Sequence, residues 1–235
     1  MYLRLIAEGS TRRQRANRRW GVSFLVADVL FDAFGRADVF WKNIRHFKIR
    51  LSRVRRIVIS HDDWDHTAGL EELLRKRPKT RVYLCRNAKS ELKELVRKNG
   101  GIPIEISGAQ KIAGRIFSLG QMRADAGRGI LYEQSIAVKS KKGYWVLTGC
   151  AHPGILRIVK RAVRLFGRPP QAVCGGFHMK DNRPTENERI VRKLTALGVR
   201  KVVPLHCTGR QACRTFDRLY GPARIKIREG NSLKL

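Results

Sequence analysis

His61-Asp62-Asp63-Trp64-Asp65-His66 places two imidazoles and three carboxylates within six consecutive residues. The run before it, Ile57–Ser60, is apolar and of strand length, and Thr67–Lys76 after it reads as the start of a helix. The cluster is therefore expected in a loop at the carboxyl end of a strand, where α/β folds place their ligand sites. Unpaired buried charge is costly, so packing alone does not explain this composition. A divalent cation offsets the carboxylates and takes these donors as ligands.

Outward from the cluster, strand-length apolar runs recur at Tyr2–Ala7, Val22–Val26, Val29–Phe31, Val82–Cys85, Ile102–Ile106 and Ile116–Leu119. They continue at Ser135–Val138, Trp145–Thr148, Ala172–Cys174, Val202–Leu205 and Ile225–Ile227. Helical spacing predicts Leu70–Lys76, Ala88–Lys98, Ile155–Phe166, Thr185–Leu197 and Arg210–Leu219, and an amphipathic stretch at Trp41–Phe47 that carries His46 as a structural residue. Strands dominate the first half, and strands alternate with helices around residues 50–100 and after 145. The expected class is α/β, with two sheets and outer helices in a four-layer αββα sandwich, and residues 1–235 read as a single domain.

Three further histidines follow strands. His152 lies in Thr148-Gly149-Cys150-Ala151-His152-Pro153-Gly154, His178 in Gly175-Gly176-Phe177-His178, and His206 in Pro204-Leu205-His206-Cys207-Thr208-Gly209. Each sits beside glycine or another small residue that admits close backbone approach. Repetition of that context points to one shared site with His61–His66. Asp32, in Phe31-Asp32-Ala33-Phe34-Gly35, lies at another strand end and suggests a supporting role behind the ligands. Asp62 reads as an acceptor for a ligand imidazole or as an exposed group, and Trp64 as packing, with stacking on substrate as its alternative.

The composition excludes several classes. Lys and Arg total 50 against 19 Asp and Glu, a net charge of +31. The basic residues are spread along the chain, with the densest run at Arg12–Arg19, read as a basic loop near an anionic substrate. No aromatic residue interleaves Arg12–Arg19, so that run lacks the stacking platform of a single-strand binder. Five cysteines without a CxxC pair argue against a disulfide framework and a thiolate zinc site, and fit a reducing cytosol. No stretch has the ~18 apolar residues of a membrane span. The expectation is a cytoplasmic protein.

These motifs resemble the metallo-β-lactamase superfamily, whose signature is His-x-His-x-Asp-His after a strand, followed by single ligands after three later strands. Within it, the chain resembles the branch of dihydropterin-type synthases and metal-dependent hydrolases. Gly21–Val26 with Val29–Gly35, Ser60–Leu70, Tyr132-Glu133-Gln134, Thr148–Ile155, Gly175–His178 and Pro204–Gly209 carry the likeness. Asp63 departs from it, standing where the signature has its second His. His178 also departs, in a slot that many members fill with a bridging Asp.

The resemblance implies a dinuclear site with a bridging hydroxide. His61, Asp63 and His152 would hold one metal, and Asp65, His66 and His206 the other. His178 would be a ligand or a substrate contact, and Asp65 would also orient the nucleophile. Zinc is the expected metal. Asp63 makes the site harder, which brings Mn and Fe into range. The branch implies a hydrolase or transferase acting on a small anionic phosphorylated substrate, with a pterin-type synthase as its specific form. Lys180, Arg183 and Arg210 follow the histidine motifs and are candidate phosphate contacts. The charge of +31 keeps a metal-dependent nuclease or phosphodiesterase on nucleic acid as the alternative.

Overall fold

A computed structural model describes residues 1–125, 127 and 129–235. The chain divides into two compact units, Met1–Ser107 with Ile227–Lys234, and Gly108–Lys226 with Leu235. In order, the first unit contains β1 (Tyr2–Gly9), α1 (Arg12–Ala16), β2 (Gly21–Val26), β3 (Val29–Phe31), α2 (Ala37–His46) and β4 (Arg56–Val58). It continues with α3 (Trp64–Thr67), α4 (Leu70–Lys76), β5 (Arg81–Cys85), α5 (Ser90–Lys98) and β6 (Ile102–Ile106). The second unit contains β7 (Gln110–Ala113), β8 (Ile116–Asp125), β9 (Ile130–Lys139), β10 (Tyr144–Thr148), α6 (Ile155–Phe166), β11 (Ala172–Gly176), α7 (Pro184–Ala196), β12 (Lys201–Leu205) and α8 (Arg210–Tyr220). The last strand, β13 (Ser232–Lys234), returns to the first unit.

Each unit is built on one mixed sheet, as the α/β reading expects. The first has the order β13-β1-β2-β3-β4-β5-β6 and is parallel from β3 to β6. The second has the order β12-β11-β10-β9-β8-β7 and is parallel from β10 to β12. One face of the first sheet, through Ile6, Leu30, Ile57 and Val82, packs on α2, α4 and α5. One face of the second, through Ala137, Val146, Val173 and Val202, packs on α6, α7 and α8. Both faces of the central strands are buried: all of β10 and β11 is inaccessible, so their sequences are unbroken apolar or small-residue runs. Leu73 of α4 is fully buried in the first core. Leu73→Ala is expected to lower unfolding free energy by about 2–5 kcal/mol in a denaturant titration. Glu71→Ala, at an exposed ion pair with Arg75, should change it by about 1 kcal/mol or less.

Three sequence expectations are corrected, and two strands are added. Arg12–Arg19 is not wholly a loop, because Thr11 accepts from the Gln14 N–H and Gln14 reaches back to the Thr11 N–H, a capping box that starts α1. His61–His66 is not a continuous loop either: α3 begins at Trp64 and contains Asp65 and His66. Ile225–Ile227 forms no strand. Pairing there closes after the single bridge Val202↔Arg224, and the chain leaves the sheet edge. The polar segments Gln110–Ala113 and Ser232–Lys234, which lack an apolar run, do pair, with β8 and β1. Among the described residues, no helix is long and apolar enough to cross a membrane.

Candidate metal centre

In the first unit, β3, β4 and α3 end together. The chain turns at Asp32, whose φ of 58° is left-handed, and its buried carboxylate faces the end of β4. There Oδ1 accepts the Ser60 N–H at 2.7 Å, and Oδ2 accepts the Ser60 hydroxyl at 2.7 Å. The same Oδ2 lies 2.7 Å from His66 Nδ1. A carboxylate only accepts, so His66 carries its proton on Nδ1 and presents Nε2. Ser60 donates to Asp32 and lies 2.8 Å from His61 Nδ1. Its hydroxyl oxygen thus accepts from His61, which also presents Nε2. One buried carboxylate sets the tautomer of both rings, the arrangement metal-ligating histidines require.

Their outward atoms meet carboxylates. His61 Nε2 lies 3.6 Å from Asp63 Oδ2, and His66 Nε2 lies 3.4 Å from Asp65 Oδ2. Ligand atoms of His61, Asp63 and Asp65 all fall within 4.8 Å of one another. Burial alone would push the His66 imidazole down, but the charges of Asp65 and Asp32 outweigh it and hold its pKa well above the ordinary histidine value. A cation bound by these donors would take over the role of that proton. Close approach of β2 to α3 depends on Gly21: at φ 110°, a Cβ there would lie 1.8 Å from the Asp65 carbonyl oxygen.

The second unit repeats this logic with Glu133, a buried residue of β9. Its Oε1 accepts the N–H groups of Cys150 and Ala151 at 3.0 and 2.8 Å. Its Oε2 accepts the His152 N–H at 2.7 Å and lies 3.0 Å from His152 Nδ1. His152 therefore presents Nε2 as well. Its ring stacks on that of His178 with centroids 4.3 Å apart. Cys150 Sγ lies 3.1 Å from His206 Nε2, and ligand atoms of Cys150, His178 and Cys207 fall within 4.8 Å of one another. Burial opposes ionisation of Cys207, but hydrogen bonding to Cys150 and the His206 charge outweigh it and hold the thiol well below its usual range.

No family model matches the chain. A 7,8-dihydropterin-6-methyl-4-(beta-D-ribofuranosyl)-aminobenzene-5'-phosphate synthase of Methanocaldococcus jannaschii is 28% identical, over 83% of this chain and 83% of the relative. A solved metal-dependent hydrolase of the β-lactamase superfamily is 27% identical, with a TM-score of 0.81 over 100% of this chain and 99% of its own. The chain has the metallo-β-lactamase fold and is similar to metal-dependent hydrolases of that superfamily. A metallo-β-lactamase fold protein of Bacillus subtilis shares the fold at 13% identity, with a TM-score of 0.70 and 99% of each chain covered. The chain is an enzyme of the metallo-β-lactamase fold, and the donor groups in both units suit divalent cations.

As a metallo-β-lactamase fold, the chain brings His61, Asp63, Asp65 and His66 together in one unit, and His152, His178 and His206 to one end of the other sheet. Asp63, the departure from the superfamily signature, turns toward His61. Asp62 does not serve an imidazole: its Oδ2 accepts the Lys89 N–H at 2.9 Å, at the start of α5. Trp64 is half-buried beneath the Arg18 guanidinium, 5.0 Å from its ring. Lys180 pairs with Asp181, whereas Arg183 and Arg210 are exposed and have no carboxylate partner among the described residues. Sequence reasoning gave no role to Ser60 or Glu133, and the absence of a CxxC spacing set Cys150 and Cys207 aside as metal donors. The visible signal was polar residues in otherwise apolar strand contexts: Ser60 after β4, and Glu133-Gln134-Ser135 within β9.

Proposed function

We propose that the chain is a hydrolase or transferase acting on a small anionic phosphorylated substrate through two divalent metal ions. The observation that carries this reading is the matched support of the histidines. Asp32, partly through Ser60, and Glu133 each fix Nδ1 so that Nε2 is left for a metal. The ligands we assign are His61, Asp63, Asp65, His66, His152, His178 and His206, with zinc as the first choice and manganese or iron accommodated by Asp63. Bound divalent cations supply Lewis-acid polarisation of a phosphoryl oxygen and acidify water. Asp65, buried beside His66, offers Oδ2 to orient the attacking water and accept its proton. Arg183 and Arg210 are free to bind substrate phosphate, and His178 is placed to touch either metal or substrate. The methanogen relative is named for synthesis of a phosphorylated pterin derivative, which supports a substrate of that class.

A second reading, nuclease or phosphodiesterase action on nucleic acid, is favoured by the net charge of +31. Mass spectrometry of natively purified protein is expected to find about two divalent metals per chain. Phosphorylated small molecules should then turn over, and the turnover should stop with a chelator and return on reconstitution. No bound metal after reconstitution with zinc, manganese or iron overturns the proposal. Metal-dependent cleavage of RNA or DNA, without turnover of any small substrate, transfers it to the second reading.

A further inference from the structure

Helix α6 carries Arg157, Lys160, Arg161 and Arg164 and no acidic residue. Their spacing puts all four on one face, in i,i+3 and i,i+4 pairs that repel one another by about 0.2–0.5 kcal/mol each. Arg157 stands in the first turn, where the helix dipole also disfavours a cation. Apart from the five-residue α1, the other helices of this basic chain carry acidic residues among their cations. In α4, Glu71 pairs with Arg75 and Glu72 with Lys76, and in α7, Glu188 pairs with Arg192. On α6 the like charges line a cavity of about 580 Å³, together with Arg123 of β8. None of the five cations pairs with a carboxylate among the described residues. A cleft beside α1 is also rich in Arg, but there Arg36 is bound to Asp38 and Arg19 to Glu229.

The cavity is built rather than incidental. β8 shifts register between Ser118 and Gln121, and within that bulge the Leu119 carbonyl accepts from Arg161 Nε, holding its guanidinium. Gly120 makes room for it: at φ 81°, a Cβ there would lie 2.7 Å from Arg161 Nη2. Met122, Val163 and Leu197 add an apolar patch to the lining. The volume suits a small molecule, and five cations call for a multivalent anion that takes guanidinium forks.

We propose that the cleft between β8 and α6 binds a small molecule carrying two or three adjoining phosphate groups, with its organic part on Met122, Val163 and Leu197. The site is separate from the histidine and carboxylate donors of the metal centre and does not depend on their assignment.

Titration calorimetry of the metal-loaded protein with inorganic triphosphate tests this. Arg157→Gln with Arg164→Gln is expected to weaken binding about ten-fold or more. Lys141→Gln with Lys142→Gln, which removes the same charge from an exposed turn, should change it by less than about two-fold. His66→Ala should leave the affinity unchanged, and the cleft variant should keep phosphoester turnover, so a failure here is distinguishable from a failure at the metal centre. Equal losses in the cleft and turn variants would mean that bulk charge attracts the probe, and would overturn the proposal. So would absence of binding by the natural sequence, or a loss confined to His66→Ala. A loss seen only with a short oligouridylate, and not with triphosphate, would overturn the compact ligand in favour of a strand.

Discussion

Asp32→Asn is expected to lower the affinity for divalent metal by about 10- to 100-fold while leaving the fold intact. The carboxylate accepts from Ser60 through both oxygens and from His66 Nδ1 through Oδ2. An amide keeps one acceptor. If its oxygen stays on the Ser60 N–H, its NH2 group faces both the Ser60 hydroxyl and His66 Nδ1–H. Donor then meets donor until the imidazole changes tautomer, which turns Nε2 into an N–H and removes it as a ligand. The Ser60 hydroxyl would also lose its fixed direction, and with it the hold on His61. Ser60→Ala should have a smaller effect, because it releases His61 and leaves the Asp32–His66 bond in place. Competition against a chromophoric chelator measures both variants, and thermal melting of the metal-free proteins checks the fold. An Asn variant with unchanged metal affinity would refute the role of Asp32.

How far the site was legible follows from where each contact lies in sequence. His61–His66 is local, so its donors could be read from one segment, and Asp63 could be marked as its departure. His152, His178 and His206 were legible because each follows an apolar strand in a small-residue context. Asp32 stood out only as a carboxylate at a strand end, since its partners Ser60 and His66 are 28 and 34 residues away. Glu133 was harder still: its partners begin 17 residues later, beyond a hairpin, and nothing around it shows which way it faces. Spacing rules for cysteine describe ligands on one loop, whereas Cys150 and Cys207 come from different strand ends and are 57 residues apart. The sheets were legible from apolar runs, because their central strands are buried on both faces. Edge strands follow other rules. Arg224-Ile225-Lys226-Ile227 has the alternation of a strand but finds one bridge, while the polar β7 and β13 pair because backbone geometry brings them alongside β8 and β1.

Glu133→Gln should separate the two things that this residue does. Glu133 takes three backbone N–H groups from Cys150, Ala151 and His152, so it shapes the loop as well as orienting the His152 ring. Ala151 is fully buried with φ 62°, a left-handed conformation that costs about 1–3 kcal/mol without support. Glutamine can keep its oxygen on the Cys150 and Ala151 N–H groups. Its NH2 group then faces the His152 N–H and Nδ1–H, two donors without an acceptor. The expected outcome is a stability loss of about 1–3 kcal/mol, with metal affinity reduced about 10- to 100-fold. Adding Ala151→Gly removes the left-handed strain and should recover part of the stability. It does nothing for the tautomer of His152, so metal affinity should stay low. Denaturant titration and chelator competition on the single and double variants read the two effects independently. If Ala151→Gly restored both together, Glu133 would act on metal only by shaping the loop, and its assigned control of His152 would be wrong.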